Sequence, residues 1–549
     1  MKKIALLIHT IKYLKFVQLS YRLHYLFIKP KTKRTVFNIQ LRDVSQAWRN
    51  IGAKPISMLS PTQFVFLNHV GQLNKAEDWN TNQQEKLWLY NLHYFDDLNA
   101  QQAEMRQIWH YELINRWIAE NPYAAGNAWE PYPNSLRIVN WVKWALQGNA
   151  FNEIQLQSLM LQAEHLSKTV EWHILANHLF TNAKALIFAG LFFNNSEAKK
   201  WLNLGLKIYK QEINEQVLAD GANFELTPMY HAIFLEDLLD IYQLMQCYAQ
   251  HDLIDLEYLK YKIQAMLVWL QHLSHPDGEI AFFNDAAFAI AANHQQLLDY
   301  AQALGISVVK HSQKNDSHLK DSGYIAVYRE NAKLLIDVAA VGPNYQPGHA
   351  HADSLSFEMS LFGQRVFVNS GISQYGMDAE RHRQRSTCAH NTVTVDDINS
   401  SEIWAGFRVA RRAFTQLHEL QMNRLQQIDL IHASHNGYIN QGQKVRHFRQ
   451  WQLDTNKVLK ITDFLEGDFN TAKAYFYLHP NVTVELCNKK HMTLKVNGHN
   501  IEIAFSDDAH VALNNTTWHP EFGKIIKNQC ICVEFSNNKL ETVISWRDK

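Results

Sequence analysis

Residues 322–342 read SGYIAVYRENAKLLIDVAAVG, and the pattern of the chain changes at this stretch. Apolar and polar residues alternate within it, which is the period of a half-buried β-strand. Alternating segments separated by turn residues continue downstream, for example at residues 353–371, 457–467 and 473–486. The pattern therefore predicts an antiparallel β-sandwich in the second half of the chain.

Upstream, from about residue 80 to about residue 310, apolar residues recur at i, i+3, i+4 and i+7, as they do in amphipathic helices. Clear examples are residues 134–147, 163–193, 197–213 and 232–250. Many helices of similar length without a fixed sequence period indicate repeated antiparallel helical hairpins rather than a strict solenoid. Helices followed by strands are typical of an α+β multidomain chain.

Length and composition fit a globular protein of several domains. The chain has 549 residues, of which 46% are hydrophobic and 19% charged, and its 53 basic residues balance 53 acidic ones. At about 150 residues per domain this length suggests two to four domains, and zero net charge argues against a nucleic-acid partner. We predict a basic, partly helical N-terminal segment at 1–75, a helical domain at 76–312 and a β-sandwich domain at 313–549.

The N-terminal segment differs in charge from the rest of the chain. Residues 1–42 hold ten Lys or Arg and no Asp or Glu, so the remainder is net −10, with 43 basic against 53 acidic residues. The segment opens like a signal peptide, but the apolar stretch Ile4–Ile8 is short, Lys12 and Lys15 follow, and no small-residue cleavage site is evident. Two interpretations stay open: a helix packed on the domain, or a helix lying on an anionic membrane surface. We expect a cytoplasmic or membrane-peripheral location, with the periplasm as the alternative.

Histidine is unusually frequent, with 28 residues, and the densest polar cluster contains two of them. His349 and His351 lie two residues apart, so in a β-strand they share a face with Asp353. His390 lies in a stretch that resembles a neighbouring strand. An H-x-H pair with a distant third histidine can hold Zn²⁺, completed by a carboxylate or carbonyl oxygen. Histidines satisfied by backbone hydrogen bonds are the alternative.

A second polar cluster interrupts an apolar helical stretch at residues 175–186. Asn177 and His178 adjoin each other there, and polar side chains on a buried helix need partners or destabilise it. We expect either a functional site or a helix end with local capping at this position.

A third cluster, at residues 220–237, contains a helix start. Thr227 followed by Pro228 is typical of an N-cap with proline at the first helical position. Tyr230 then falls in the first turn, where the positive end of the helix dipole favours a phenolate. Tyr230 is therefore a candidate proton carrier, with a packed aromatic residue as the alternative.

Aromatic and basic residues add two weaker signals. Nine of the 15 Trp lie between Trp79 and Trp201, where they either stack on sugar rings or form a core. Arg381, Arg383 and Arg385 precede the third histidine. They are candidates for bidentate binding of carboxylates or sulfates, with a solvated basic loop as the alternative.

Taken together, the clusters resemble the heparinase II/III-type polysaccharide lyases, which are related to the alginate lyases and to the dermatan-sulfate epimerases. The likeness covers roughly residues 85–430, and it rests on five motifs in order. The motifs are Asn-His at 177–178, Pro-x-Tyr-His at 228–231, His-x-His-x-Asp at 349–353, Ser-Gly at 370–371 and Ala-His-Asn-Thr at 389–392. The resemblance implies an incomplete (α/α) toroid followed by an antiparallel β-sandwich.

The resemblance also implies a reaction, the cleavage of a uronate-containing acidic polysaccharide by β-elimination. Candidate polymers are heparin or heparan-like, alginate-like, or a bacterial capsule or exopolysaccharide. Asn177 and His178 would hydrogen-bond the uronate carboxylate, and His349 would help them. Tyr230 would protonate the leaving O4 and is also a candidate for the base at C5. A histidine or a second tyrosine, such as Tyr375, is the other candidate base.

A metal site is implied at His351, Asn369 and His390. The family has Asp where this chain has Asn369, and a neutral amide oxygen is a weaker Zn²⁺ ligand than a carboxylate. The resemblance thus leaves three outcomes: a loosely held structural zinc, no metal, or Asp353 in place of the missing carboxylate.

Five further residues are expected to bind substrate. They are Trp129, Glu130, Arg137, Tyr375 and Arg383. Two other functions stay open beside the lyase. One is a C5-uronate epimerase, which shares the proton-abstraction step, and the other is a non-catalytic carbohydrate-binding or assembly protein. The sequence does not determine the oligomeric state.

Overall fold

A computed structural model describes residues 2–27, 36–52, 54–307, 315–454, 457–486, 490–506 and 508–547 of the chain. The helices are α1 (Lys2–Ile11), α2 (Phe16–Phe27), α3 (Lys86–Tyr94), α4 (Gln107–Glu120), α5 (Pro131–Leu146), α6 (Glu153–Lys168), α7 (Ala176–Phe192), α8 (Ser196–Gln216), α9 (Pro228–Cys247), α10 (Leu256–His272), α11 (His294–Ala303), α12 (Ala379–Arg385) and α13 (Gly437–Asn440). The strands are β1 (Met58–Ser60), β2 (Gln63–Phe66), β3 (His69–Gln72), β4 (Ser317–Leu319), β5 (Tyr324–Arg329), β6 (Ala332–Asp337), β7 (Phe357–Leu361), β8 (Gln364–Phe367), β9 (Val393–Val395), β10 (Ile403–Trp404), β11 (Arg408–Val409), β12 (Thr415–Met422), β13 (Ile428–His435), β14 (Arg446–Leu453), β15 (Val458–Glu466), β16 (Ala472–Tyr477), β17 (Thr483–Leu486), β18 (His491–Val496), β19 (His499–Phe505), β20 (His510–Trp518), β21 (Ile526–Phe535) and β22 (Lys539–Trp546).

The helical domain is an incomplete (α/α) toroid, formed by α3 to α11, with α7 at its centre. All residues of α7 except His178 are buried, because α5, α6, α8 and α9 surround it. Two glycines allow α7 and α8 to approach closely. A Cβ at Gly190 would lie 2.6 Å from Leu202 Cβ, and one at Gly205 would lie 2.8 Å from Ile187 Cγ1.

The tryptophans of this domain form its core. Trp79, Trp117, Trp141, Trp144 and Trp201 are buried within one apolar cluster, and a large aromatic side chain there contributes a large buried area to the stability of the fold. For these residues the packing interpretation of the tryptophan pattern applies.

The β-domain is a sandwich of antiparallel sheets. One sheet has eight strands in the order β12-β13-β14-β15-β22-β19-β18-β17; against it lie the sheets β4-β5-β6-β7-β8 and β20-β21-β16-β9. Their inward residues, among them Phe357, Trp451 and Phe476, form one apolar core. The predicted fold class, helices followed by an antiparallel sandwich, is confirmed.

The predicted domain limits are only partly visible. The predicted boundary at 312–313 lies outside the described residues. The last helix of the helical domain ends at Ala303, and the first strand of the β-domain begins at Ser317. The N-terminal segment contains α1 and α2, as expected, and also a small sheet β1-β2-β3. The sequence did not predict that sheet, because strands of three or four residues are too short to show a period.

The two domains pack through shared apolar contacts. Tyr345, Val368 and Trp518, which follow the helical domain in sequence, belong to the apolar cluster of the toroid. A buried polar contact adds to them, with His275 Nε2 of the helical domain 2.9 Å from Glu358 Oε2 of β7. The contact places loops of the β-domain next to helix ends of the toroid.

Candidate active site

Three helix starts meet at one place in the toroid. Tyr132 lies in the first turn of α5, Asn177 and His178 in that of α7, and Tyr230 in that of α9. The rings of Tyr132 and His178 are 4.5 Å apart. The free N–H groups and positive dipole ends at helix starts favour anions, so a carboxylate is well placed there.

The start of α7 is fixed by two carboxylates. Asn177 donates from its backbone N–H (3.0 Å) and from Nδ2 (2.9 Å) to Glu225 Oε1, just ahead of α9. His178 donates from Nδ1 to Glu171 Oε1 at 2.9 Å. Leu175 turns the chain into the helix with a left-handed φ of 68°. These contacts fix the orientation of both side chains.

His178 is the one residue of the fully described helix α7 that is not buried, with 29% of its side chain exposed. Burial disfavours its charged form, but the Glu171 carboxylate outweighs this effect and raises the pKa of His178 above the ordinary value, with a further contribution from Glu225. The geometry therefore favours an imidazolium that donates from Nε2.

Tyr230 lies where the sequence predicted. Thr227 is the N-cap of α9, and its Oγ1 accepts from Tyr230 N–H at 3.0 Å. The Tyr230 ring stacks on the His349 ring with centroids 3.8 Å apart, and its hydroxyl is 3.0 Å from that of Tyr375. Burial and the neighbouring Tyr375 hold the pKa of Tyr230 well above its ordinary value. Tyr230 is thus a neutral phenol with a proton to give.

The His-x-His segment is not a strand, and the predicted geometry is wrong there. Residues 347–356 form a loop, and β7 begins only at Phe357. The loop pairs with the toroid: Asp285 N–H donates to the His349 carbonyl at 3.0 Å, and His351 N–H to Asn284 Oδ1 at 3.0 Å. His390 likewise follows a short 3₁₀ turn instead of lying in a strand. The backbone of His349 and His351 thus bonds to Asp285 and Asn284 of the helical domain instead of to a neighbouring strand.

Asp285 organises the histidine side of the site. Its Oδ2 accepts from His349 Nδ1 at 2.9 Å and its Oδ1 from His351 Nε2 at 2.8 Å. Arg381 holds both oxygens with its two terminal nitrogens. Burial alone would raise the pKa of Asp285, but Arg381 and the two histidines hold it well below the ordinary value. Asp285 is therefore a carboxylate that fixes the orientation of both imidazoles.

The side chain of His349 is 12% exposed, and its two nitrogens face two carboxylates. With Nδ1–H directed at Asp285, the neutral ring has its lone pair on Nε2. Nε2 lies 3.7 Å from Glu225 Oε2, the same carboxylate that holds Asn177. Glu225 therefore links the toroid side of the site to the loop side.

Two of the residues expected to hold a metal, His351 and His390, lie together with Asp353. His351, Asp353 and His390 offer ligand atoms that lie within 4.8 Å of one another. His351 Nδ1 and His390 Nε2 are 3.2 Å apart, and two nitrogens on one tetrahedral zinc lie about 3.3 Å apart. Burial lowers the pKa of His351 to about 4 and that of His390 well below its ordinary value, so both rings are neutral. The donor set fits a zinc ion.

Asn369 lies near His390 through a contact with the neighbouring Asn391, and its role as a metal ligand stays a prediction. It is fully buried, its backbone N–H donates to Glu358 Oε1 at 2.7 Å, and its Oδ1 accepts from Asn391 N–H at 3.4 Å. Asp353 is the carboxylate that lies with the two histidines, as the third outcome that the sequence left open would require.

Two residues expected to bind substrate are buried. Arg137 is fully buried, and each of its nitrogens has a protein acceptor: Gln162 for Nε, the His93 carbonyl for Nη1, and Asn134 with the Ala128 carbonyl for Nη2. Its guanidinium also lies over the Trp117 ring. Trp129 packs against Trp117 and Tyr123. A direct substrate contact does not fit the full burial of Arg137, so we correct its expected role to support of the α5 start. The role of Trp129 in substrate binding stays a prediction.

The other expected binding residues differ in their surroundings. Tyr375 lies at the site beside Tyr230. Glu130 caps α5, binds Lys86 Nζ at 3.0 Å and accepts from the Tyr90 hydroxyl. Arg383 is paired with Glu380 through contacts of 2.7 and 2.9 Å. The roles of these three in substrate binding stay predictions.

The arginines near His390 do not form a solvated loop. Residues 379–385 form α12, and Arg381 and Arg385 are fully buried. Arg385 donates to the backbone carbonyls of Ala350 and Gly406, and the contact with Ala350 fixes the loop between His349 and His351.

Sequence reasoning did not single out four residues of the site: Tyr132, Glu171, Glu225 and Asp285. Asp285 stands alone in the apolar run 280–290, and a lone acid in such a run is a signal of a buried ion pair. Glu225 gives a similar but weaker signal. Tyr132 follows Pro131 at a helix start, which is the same pattern that identified Tyr230. Glu171 has no comparable local signal.

Two family descriptions match the chain. The heparinase II/III N-terminus matches residues 20–305, and the heparinase II/III-like C-terminal part matches residues 311–547. A heparin-sulfate lyase of Bacteroides stercoris is 29% identical over 241 residues, which are 41% of this chain and 36% of that protein. A heparin-sulfate lyase of Pedobacter heparinus is 24% identical over 323 residues, 53% of this chain and 48% of that protein. The matched part thus spans less than half the length of these relatives.

Solved structures show the same fold. The crystal structure of heparinase III superposes with a TM-score of 0.73 at 17% identity, covering 95% of this chain and 88% of that one. A heparan sulfate lyase from Pedobacter heparinus gives 0.58 at 17% identity, covering 97% and 88%. The N-terminal family match alone covers more than half of the residues, and the chain belongs to the heparinase II/III family.

Proposed function

We propose that this chain cleaves a uronate-containing acidic polysaccharide by β-elimination. The observation that carries the proposal is the meeting of three helix starts with a neutral tyrosine and a carboxylate-oriented histidine. The names of the relatives support heparin or heparan sulfate as the first polymers to test, beside alginate-like and bacterial uronate polymers.

The first requirement of the reaction is to make the C5 proton acidic. Its loss places charge on the uronate carboxylate, and donors that are already in position stabilise that charge in the transition state. Asn177 Nδ2 and His178 Nε2 are the donors we assign to this task, at the positive end of α7. One such donor contributes about 3 kcal/mol to the transition state.

The second requirement is proton transfer at C5 and O4. We assign the base to His349 Nε2, because Asp285 holds the proton on Nδ1, and the imidazolium that forms then lies between Asp285 and Glu225. The C5–H electron pair forms the C4–C5 double bond as the C4–O4 bond breaks. Tyr230 gives its proton to O4, and its raised pKa keeps that proton in place until then. The tyrosine hydroxyl regains a proton from solvent or from His349.

His351, His390 and Asp353 would hold a zinc ion, which when bound would fix the positions of these side chains rather than touch substrate. The residues themselves position His349. His351 shares Asp285 with His349, so an ordered His351 keeps that carboxylate directed at His349 Nδ1.

A polymer panel tests the proposal. The full chain is incubated with heparan sulfate, heparin, alginate and a bacterial uronate polymer, and the ultraviolet absorbance of the C4–C5 unsaturated uronate is followed. We expect absorbance with at least one polymer and its loss in Asn177→Ala. Asn195→Ala, which alters the N-cap of α8 away from the site, is the control and should stay active. Absence of absorbance with every polymer contradicts the proposal.

A further inference from the structure

The two N-terminal helices contact the protein through sides that include polar residues, and they expose large apolar residues to solvent. In α1, Thr10 Oγ1 accepts from Trp404 Nε1 at 3.0 Å, and just beyond the helix the Arg412 guanidinium lies 3.9 Å from the Tyr13 ring centre. Ile4 and Ile8, on the opposite side, are 64% and 60% exposed. A surface helix usually buries its apolar stripe, whereas α1 leaves these two isoleucines exposed.

Helix α2 repeats the arrangement. Gln18 is fully buried, and its Nε2 donates to the Ile174 carbonyl of the toroid at 3.1 Å and to the Tyr345 carbonyl of the β-domain at 3.3 Å. Leu26 and Phe27 are exposed to 73% and 83%. These polar contacts and the packing of Val17 on the toroid core fix the helix, and Leu26 and Phe27 stay exposed.

The exposed apolar residues of the two helices, here called the N-terminal apolar face, share spacings of three, four and seven residues. They are Ile4, Leu7, Ile8, Ile11, Phe16, Leu23, Leu26 and Phe27. A cluster of this size on a surface marks a binding surface. No described helix is long and apolar enough to cross a bilayer, so a helix that lies on a surface is the form to consider.

Charge identifies the occupant. Residues 1–42 carry ten Lys or Arg and no acidic residue, while the rest of the chain is net negative. Lys3, Lys12 and Arg22 are exposed beside the N-terminal apolar face. A polysaccharide would satisfy the charges but has little apolar surface to cover Ile and Phe side chains. An anionic lipid surface satisfies both.

We propose that α1 and α2 dock this chain on an anionic lipid surface, with the N-terminal apolar face buried at the headgroup boundary. The docking is independent of the proposed lyase activity, because none of the residues involved belongs to the candidate active site. Binding and catalysis are therefore separable by experiment.

Vesicle flotation of the full chain tests the docking. The vesicles contain either phosphatidylcholine alone or phosphatidylcholine with phosphatidylglycerol. We expect binding to the anionic vesicles, weakened by salt. The variant Ile4→Gln/Ile8→Gln/Leu26→Gln/Phe27→Gln should bind at least about tenfold less, because it removes the apolar surface that enters the headgroup boundary. Lys3→Gln/Lys12→Gln should lose part of the binding and of its salt dependence.

The matched control is Met105→Gln/Ile108→Gln/Ile154→Gln/Leu425→Gln, which changes four equally exposed apolar side chains elsewhere and should bind as the unchanged chain does. An unchanged thermal unfolding temperature excludes misfolding in all variants. Equal binding by the N-terminal variant and the unchanged chain overturns the proposal. So does absence of binding to anionic vesicles, or a dimer in lipid-free sedimentation that the N-terminal variant abolishes.

Discussion

One half of the candidate site lies at helix starts, and the other half lies in loops that a buried network of ion pairs holds in place. Asn177, His178 and Tyr230 occupy first turns of helices. Tyr230 and His178 are fixed by Thr227 and Glu171, which lie within seven residues of them, whereas Asn177 is held by Glu225, 48 residues away. His349, His351 and His390 lie in loops whose positions depend on Asp285 and Arg381, which are distant in sequence. The comparison teaches that Tyr230 and His178 in the first half are fixed by residues near in sequence, whereas the second half depends on contact between the domains.

The largest expected effect comes from the helix side. Tyr230→Phe removes only the hydroxyl, whose one assigned partner is the Tyr375 hydroxyl, so the fold should hold. We expect kcat to fall by about 10²–10⁴-fold, since a positioned acid contributes that much. The rate of ultraviolet absorbance on the best polymer measures it. A larger loss in Tyr375→Phe than in Tyr230→Phe would reassign the acid.

A substitution on the loop side should lower the free energy of unfolding. Asp285→Asn leaves the Arg381 charge buried without its counter-charge, and breaking a buried pair costs about 3–5 kcal/mol. Urea unfolding measures the change in the free energy of unfolding. The control Glu402→Gln breaks the partly exposed pair with Arg411 and should cost no more than about 1 kcal/mol. Equal costs for the two variants would mean that Asp285 does not organise the loops.

A pH profile separates the halves further. The Glu171 carboxylate raises the pKa of His178, and the protonated form is the one that donates to the uronate, so activity should fall as pH rises through that pKa. Glu171→Gln removes the carboxylate, lowers the pKa of His178 and should move the basic limb of kcat/KM to lower pH. If the basic limb of kcat/KM does not move, it reports the titration of a group other than His178.

Metal removal should have the smallest effect on the chemical step. Chain prepared with zinc should lose it on chelation or in His390→Ala, with a lower thermal unfolding temperature. The loss in kcat should stay well below that of Tyr230→Phe, because His351 and His390 are buried and other residues are assigned as the acid and the base. Metal analysis beside the rate measures both. A loss as large as that of Tyr230→Phe would place the metal in the chemistry.

The comparison also explains what the sequence can predict. The helix-to-strand change, the N-cap at Thr227 and the placement of Tyr230 rest on neighbouring residues, and the structure agrees with them. The strand expected at His349 was wrong, because backbone pairing with Asn284 and Asp285 across the domain contact competes with sheet pairing. Periodicity carries no information on such a contact.

The burial of charged side chains is the second reason why expectations from the sequence failed. Arg137 and Arg381 are charged residues in motif positions, and charge alone suggests a solvent-facing role. Both are fully buried, and their acceptors come from carbonyls and carboxylates 3 to 96 residues away. Glu225 was not predicted for the same reason, because its buried carboxylate contacts Asn177 and His349, which are distant from it in sequence.

Product analysis by proton NMR tests the central claim most directly. The full chain is incubated in D₂O with the polymer that gives the strongest absorbance. We predict shortened chains whose new ends show the vinyl proton at C4 of an unsaturated uronate, with none formed by Tyr230→Phe. Intact chains that carry deuterium at C5 would contradict elimination and show an epimerase instead. Unchanged polymer would contradict both reactions.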